Sequence, residues 1–168
     1  HVLFTPEMEP ERSQNTRRTW FDVEEALKAG DFEVFYQPQV SLPTGNLVGA
    51  EALVRWRDAR GGYIAPDQFL PIIENSQGVR SLLWFVLNAA LRQVAEWSRQ
   101  LPGFKVSVNL AAGNLDDRDL VDQVENVLKV WHLPPAQLTL ELTESSLLRS
   151  PEECTRLLGA LRGLGTRV

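Results

Sequence analysis

The sequence predicts an α/β fold in which about four strands and their helices build a partial barrel, with the first strand antiparallel to the second. Three observations lead there. Apolar residues alternate along the chain between period 2 and period 3.6, the signature of β/α units. The connection Ser41-Leu42-Pro43-Thr44-Gly45-Asn46 is too short to hold a crossover helix, so the strands it joins pair as a hairpin. Each strand carries apolar residues on one face and carboxylates, amides or arginine on the other, which a sheet buried on both faces would not show.

Residues 1–18 are polar, contain Pro6 and Pro10, and read as a linker or the tail of a preceding domain. A short helix follows, with Asp22 as its cap, Glu25 three residues on and Gly30 as its stop. Strands Glu33–Val40 and Leu47–Trp56 form the one hairpin expected. After a loop containing Gly61 and Gly62, Pro66 suits a first helical position and opens a short amphipathic piece through Ile73. A helix over Ser81–Arg99 places Leu83, Leu87, Ala90, Leu91, Val94 and Trp97 on one stripe. Strand Lys105–Leu110 leads to a helix over Asp119–Trp131. Strand Gln137–Thr143 leads to a helix opened by Ser150, Pro151 and Glu153 that ends near Gly163 and Gly165. Thr166, Arg167 and Val168 begin a further strand.

The chain has 168 residues, 43% hydrophobic and 23% charged, enough for one domain with its own core. No apolar run reaches the length of a bilayer span, and no basic flank leads into an apolar stretch at the amino terminus. This segment is therefore expected to make no membrane contact and to reside in the cytoplasm, whatever anchor a longer parent carries. A net charge of -5 argues against a nucleic acid polymer as partner, because such binding needs Lys and Arg to neutralise phosphates. Cys154 lies in a helical pattern and reads as a packed or exposed thiol, not a nucleophile.

Period 2 distributes the chemistry over the strands. Val48, Ala50, Ala52, Val54 and Trp56 share one face, and Glu51, Leu53 and Arg55 the other. Val106, Val108 and Leu110 oppose Lys105, Ser107 and Asn109. Leu138, Leu140 and Leu142 oppose Thr139, Glu141 and Thr143, and Gln37 falls with Gln39 on the first strand. In a single strand, one face in water accounts for such alternation without any site. Across four strands separated by amphipathic helices, a barrel with a polar mouth fits better, since such barrels carry reactive groups at the carboxyl ends of their strands. Asn109 and Glu141 fall near those ends. With Glu51 they offer three oxygen ligands, a set for a hard divalent cation, Mg²⁺ or Mn²⁺, and not for zinc. The histidines are His1, in the tail, and His132, beside a helix end before Pro134 and Pro135, so neither a zinc site nor a Ser-His-Asp triad finds its histidine.

Five blocks resemble the EAL domain family in order and spacing. They are Phe35-Tyr36-Gln37-Pro38-Gln39-Val40; Gly49-Ala50-Glu51-Ala52-Leu53-Val54-Arg55-Trp56; Pro66 with Phe69-Leu70-Pro71 and Glu74; Val108-Asn109-Leu110; and Glu141-Leu142-Thr143-Glu144-Ser145. A Glu-Ala-Leu tripeptide alone arises by chance; five blocks in register do not. The resemblance runs from about Trp20 to Val168. Ahead of it, Phe4-Thr5-Pro6-Glu7-Met8 resembles the tail of a GGDEF domain, which makes residues 1–18 that tail or a linker and residues 19–168 the N-terminal part of an EAL domain.

The resemblance implies an incompletely parallel TIM-like barrel with an antiparallel first strand. It also implies hydrolysis of cyclic di-GMP to linear pGpG by metal-activated water at a two-metal site holding Mg²⁺ or Mn²⁺. Carried over by position, Glu51, Asn109 and Glu141 are metal ligands; Gln37, Leu53 and Arg55 contact substrate, with Arg55 on a phosphate. Glu144 steadies a loop near the metals and joins Glu51 in the catalytic set. Every family motif position present here holds the catalytic residue type, so a phosphodiesterase is the first reading. A degenerate EAL domain acting as a cyclic di-GMP receptor or protein-interaction module is the second; such members often lose the glutamate or arginine that here are Glu51 and Arg55. An unrelated metal-dependent barrel enzyme is the third.

Two departures stand out. Asn75-Ser76-Gln77-Gly78 replaces the family's Glu-Thr-Gly or similar triplet, with the glycine displaced by one. The family's Asp-Asp-Phe-Gly segment, its lysine, its general-base glutamate and its late glutamine would all lie beyond Val168, so the 168-residue chain alone is expected to be inactive. A barrel truncated after about four strands would also expose a sheet edge and helix faces, which favours a homo-oligomer or strand-exchanged dimer.

Overall fold

The computed structural model describes residues 20–74, 76, 78–142 and 151–168. Helix α1 (Trp20–Ala29) is followed by β1 (Phe32–Val40), β2 (Leu47–Arg57), a short β3 (Tyr63–Ile64), α2 (Pro66–Glu74) and α3 (Gly78–Trp97). Strand β4 (Lys105–Leu110), a 3-10 turn (Ala112–Asp116), α4 (Leu120–Val130), a second 3-10 turn (Pro135–Gln137), β5 (Leu138–Leu142) and α5 (Pro151–Leu164) complete the described elements.

The sheet runs β1-β2-β4-β5, with β3 added on β2. Strands β1 and β2 pair antiparallel, as the short connection requires, and Gln37 faces Glu51 across them. The turn closes through Ser41 N–H to the Asn46 carbonyl at 2.8 Å, with Gly45 at φ 68°. Pairs β2–β4 and β4–β5 are parallel. The expected further strand is present at its start: Arg167 bridges Thr139 in parallel, and its carbonyl accepts from Leu140 N–H at 2.9 Å. This is the α/β partial barrel with an antiparallel first strand that the sequence predicts.

The core explains the alternation. On α3, Leu87, Ala90, Leu91 and Val94 are fully buried, in one cluster with Val106, Val108, Leu138 and Leu140 of the sheet, Leu120 and Val124 of α4 and Leu161 of α5. A second cluster closes the side under α1 and α2, where Phe32 stacks on Trp56 at 5.2 Å and Phe69 sets its edge against both rings at 5.7 Å. Strand β4 can approach β2 because position 49 is glycine. A Cβ there would lie 2.8 Å from the Lys105 carbonyl oxygen, nearer than any side chain tolerates.

The structure departs from the sequence reading in small, explicable ways. The single expected hairpin is joined by a second antiparallel contact, Trp56↔Ile64 and Arg57↔Tyr63. A two-residue strand is too short to register as alternation. Asp22 sits in the first turn of α1 and not before it. Helix α3 starts at Gly78 because Ser76 seals the junction: its hydroxyl accepts from Gly78 N–H at 3.1 Å and donates to the Ile73 carbonyl at 2.9 Å. The expected linker over residues 1–18, the replaced residues Asn75 and Gln77, the site residue Glu144 and the cap Ser150 lie outside the described residues.

Leu91→Ala should cost about 3 kcal/mol of stability, the usual penalty for emptying a sealed leucine site. Val130→Ala, at a position 64% exposed, should cost less than about 0.5 kcal/mol. Urea unfolding curves for both variants check the contrast.

Candidate functional site

The face of the sheet opposite α3 gathers the polar side chains. Asn109 Nδ2 donates to Glu51 Oε1 at 2.8 Å. Glu51 stands level with Ser107 in the β2–β4 register, so this contact runs diagonally to the next residue on the same face. Asn109 in turn pairs with Glu141 across β4–β5. The structure thus brings Glu51 and Asn109 into contact and sets Glu141 beside them. Gln37 is placed opposite Glu51 on β1, exposed. Gln39 reaches across the same face and donates to Ser107 Oγ at 3.3 Å, which accounts for a serine buried to 4% exposure on a polar face.

A cavity of about 230 Å³ opens beside these groups, where β2, β4 and β5 end. Leu53, Arg55, Glu74, Asn109, Asn114 and Glu141 contribute to its wall, over an apolar floor that includes Ile73 and Val86. Arg55 is held by its own strand: Nη1 donates to the Val54 carbonyl at 2.8 Å, and the guanidinium lies 5.6 Å from the centre of the Phe35 ring. Phe35 is braced by Tyr63 at 5.2 Å, edge to face. The Tyr63 hydroxyl donates to Glu33 Oε2 at 2.9 Å, and Glu33 pairs with Arg57. The sequence reading missed this support for Arg55. Period 2 does put Phe35 on the face of Gln37, but nothing in the sequence announces Tyr63, because β3 is so short.

Among the described residues, no three His, Cys, Asp or Glu side chains come together as a metal cluster. The available donor set is two carboxylates and one amide, all oxygen, which fits a hard divalent cation. In its present orientation Asn109 offers Glu51 an N–H. To offer a cation Oδ1, the amide must turn over.

A family model for the EAL domain matches residues 21–168. The chain belongs to the EAL domain family. Cyclic di-GMP phosphodiesterase PA2567 of Pseudomonas aeruginosa is 33% identical over 134 residues, 80% of this chain and 23% of that protein. Cyclic di-GMP phosphodiesterase RocR of the same organism is 32% identical over 144 residues, 86% of this chain and 37% of that protein. The chain therefore spans less than two fifths of the length of these curated relatives. Among solved structures, the PaMucR phosphodiesterase in its c-di-GMP complex superposes with a TM-score of 0.81 at 35% identity, over 87% of this chain and 60% of that one.

Among the described residues of this EAL chain three ionisable groups are shifted, Tyr36, Asp117 and its partner Arg80, and all lie in structural contacts. Burial pushes the Tyr36 phenol up to about 12. Its hydroxyl donates to the Ala89 carbonyl at 3.1 Å and so ties β1 to α3. At Asp117, burial raises the carboxyl pKa, but the Arg80 hydrogen bonds, the Asp119 N–H and the Arg80 charge together hold it below the ordinary value. A lowered carboxyl pKa contributes stability above the unfolded value of about 4, and that contribution disappears as pH falls through the folded value. Asp117→Asn should therefore be less stable than the wild type at neutral pH. The gap should narrow below about pH 4, as urea midpoints measured across that range would reveal.

Proposed function

We propose that this chain forms part of a phosphodiesterase that hydrolyses cyclic di-GMP to linear pGpG. The observation that carries the proposal is the Asn109–Glu51 contact, with Glu141 beside it, on the cavity rim that Arg55 also lines. Glu51, Asn109 and Glu141 would hold Mg²⁺ or Mn²⁺, and Glu144 would support them from outside the described residues. A cation bound there would neutralise phosphodiester charge and supply activated water. Arg55, set on the Phe35 ring, would meet a substrate phosphate, and Gln37 and Leu53 would contact the nucleotide. Leu53 gives that contact an apolar surface, since it is half-buried on the cavity wall. The named activities of PA2567 and RocR support this reading.

In the same reading, residues 19–168 are the amino-terminal part of an EAL domain, preceded over 1–18 by a linker or a GGDEF-like tail. No described helix is long and apolar enough to cross a membrane, and we place the segment in the cytoplasm.

Removing a donor should tell directly. Glu51→Ala should weaken Mn²⁺ binding by tenfold or more in titration calorimetry, while Arg55→Ala should leave Mn²⁺ binding intact and weaken cyclic di-GMP binding. Wild-type affinity for both ligands in both variants would refute the site. The 168-residue polypeptide tested alone should show no metal-dependent turnover of cyclic di-GMP. It should also self-associate: β1 is an edge strand, and Val40, Leu42, Leu47 and Val48 are exposed around the hairpin it forms with β2. A single monomeric boundary at micromolar concentration in sedimentation velocity would disprove that.

A further inference from the structure

The turn that follows β4 is fixed by a buried amide outside the residues assigned so far. Asn114, 3% exposed, lies in the 3-10 turn Ala112–Asp116. Its Oδ1 accepts from Ala111 N–H at 3.0 Å, and its Nδ2 donates to the Val79 carbonyl, in the first turn of α3, at 3.1 Å. Its backbone N–H returns to the Ala111 carbonyl at 3.0 Å. Ala111 is therefore gripped from both its polar groups, two residues beyond Asn109. The next contacts hold the turn from either side. A Cβ on Gly113 would lie 2.3 Å from the Glu74 carbonyl oxygen, so the turn is seated on the end of α2 at a distance only glycine permits. Three residues past Asn114, Asp117 takes two N–H groups of Arg80 on α3. Asn114, Ala111, Glu74 and Val79 line the same cavity as Asn109 and Glu141.

We propose that Asn114 is a positioning residue for the cation site: it pins the carboxyl end of β4 to α3 and so holds the Asn109 side chain against Glu51. The inference rests on Asn109 being a cation ligand. Its physical content is that a ligand on a strand end keeps its aim only while the residues just past it are fixed, and groups one layer behind a ligand commonly change metal affinity by ten- to a hundredfold. A comparison residue within the fold separates positioning from plain stabilisation. Gln137 is also a buried amide, 6% exposed, with Nε2 donating to the Phe104 carbonyl at 2.8 Å and to Ser98 Oγ at 2.9 Å. It clamps the amino-terminal side of β4 and β5, away from the cavity.

The test is Mn²⁺ titration calorimetry on the 168-residue chain, with thermal midpoints, for the wild type, Asn109→Ala, Asn114→Ala, Gly113→Ala and Gln137→Ala. Asn114→Ala is expected to weaken Mn²⁺ binding about tenfold at a temperature where it is folded. Gln137→Ala is expected to lower the thermal midpoint and leave Mn²⁺ affinity within about twofold. Should Asn114→Ala fail to fold, Gly113→Ala, which lifts the same turn off Glu74 without removing the amide, decides by the same tenfold loss. Unchanged Mn²⁺ affinity in Asn114→Ala beside a loss in Asn109→Ala overturns the positioning inference alone, as does an equal loss in Gln137→Ala. A wild type that does not bind Mn²⁺, or an Asn109→Ala that binds it normally, overturns the underlying cation site and this inference together.

Discussion

The stripe Leu87, Ala90, Leu91 and Val94 of α3 is buried in one cluster with Ala50, Ala52, Val106, Val108, Leu138 and Leu140 of the sheet, and the facing of β2, β4 and β5 follows from that contact. Each fully buried valine or leucine is worth roughly 1.5–3 kcal/mol relative to exposure. Sliding β4 by one residue would turn Val106 and Val108 outward and drive Ser107 and Asn109 under the helix, a change of several kcal/mol against the fold. The polar face is thereby specified by what lies on the other side of the sheet. Glu51, Asn109 and Glu141 point away from α3 because their neighbours must point toward it.

That dependence explains what could be read in advance. The strands, the hairpin, the long helices and the facing of Glu51, Asn109 and Glu141 are consequences of hydrophobic period, and period is local in sequence. The start of the last strand at Arg167 was legible for the same reason. The illegible parts depend on meetings between distant segments. Tyr63 reaches Phe35 and Glu33 across a loop held by Asp58 N–H to the Gly62 carbonyl at 2.8 Å, and no pattern of two residues can announce such a strand. Asn114 looks like an ordinary loop residue until Val79, thirty-five positions earlier, is found to be its partner. Glu144 follows from family likeness alone.

Two kinds of support therefore surround the site. The Phe35 ring under Arg55 is braced through Tyr63 and Glu33 to Arg57, so the guanidinium is presented from a rigid aromatic base at the open side of the cavity. On the other flank, the turn after β4 is fixed by a neutral amide and by the Arg80–Asp117 pair. Arginine placed over an aromatic ring keeps its full charge while losing rotational freedom, which would suit the phosphate contact proposed for Arg55. The amide of Asn114 lies on the cavity wall, while the Arg80–Asp117 pair anchors the turn from three residues further on.

Gly49 gives the sheet a further property. With no side chain there, β2 lies close enough to β4 for the Lys105 carbonyl to occupy the space a methyl group would fill. Glu51 is two residues along β2, and its reach to Asn109 is measured from that same line of contact. The spacing at which Asn109 meets Glu51 is thus set along a strand pair drawn close by a hydrogen atom standing where every other amino acid carries carbon.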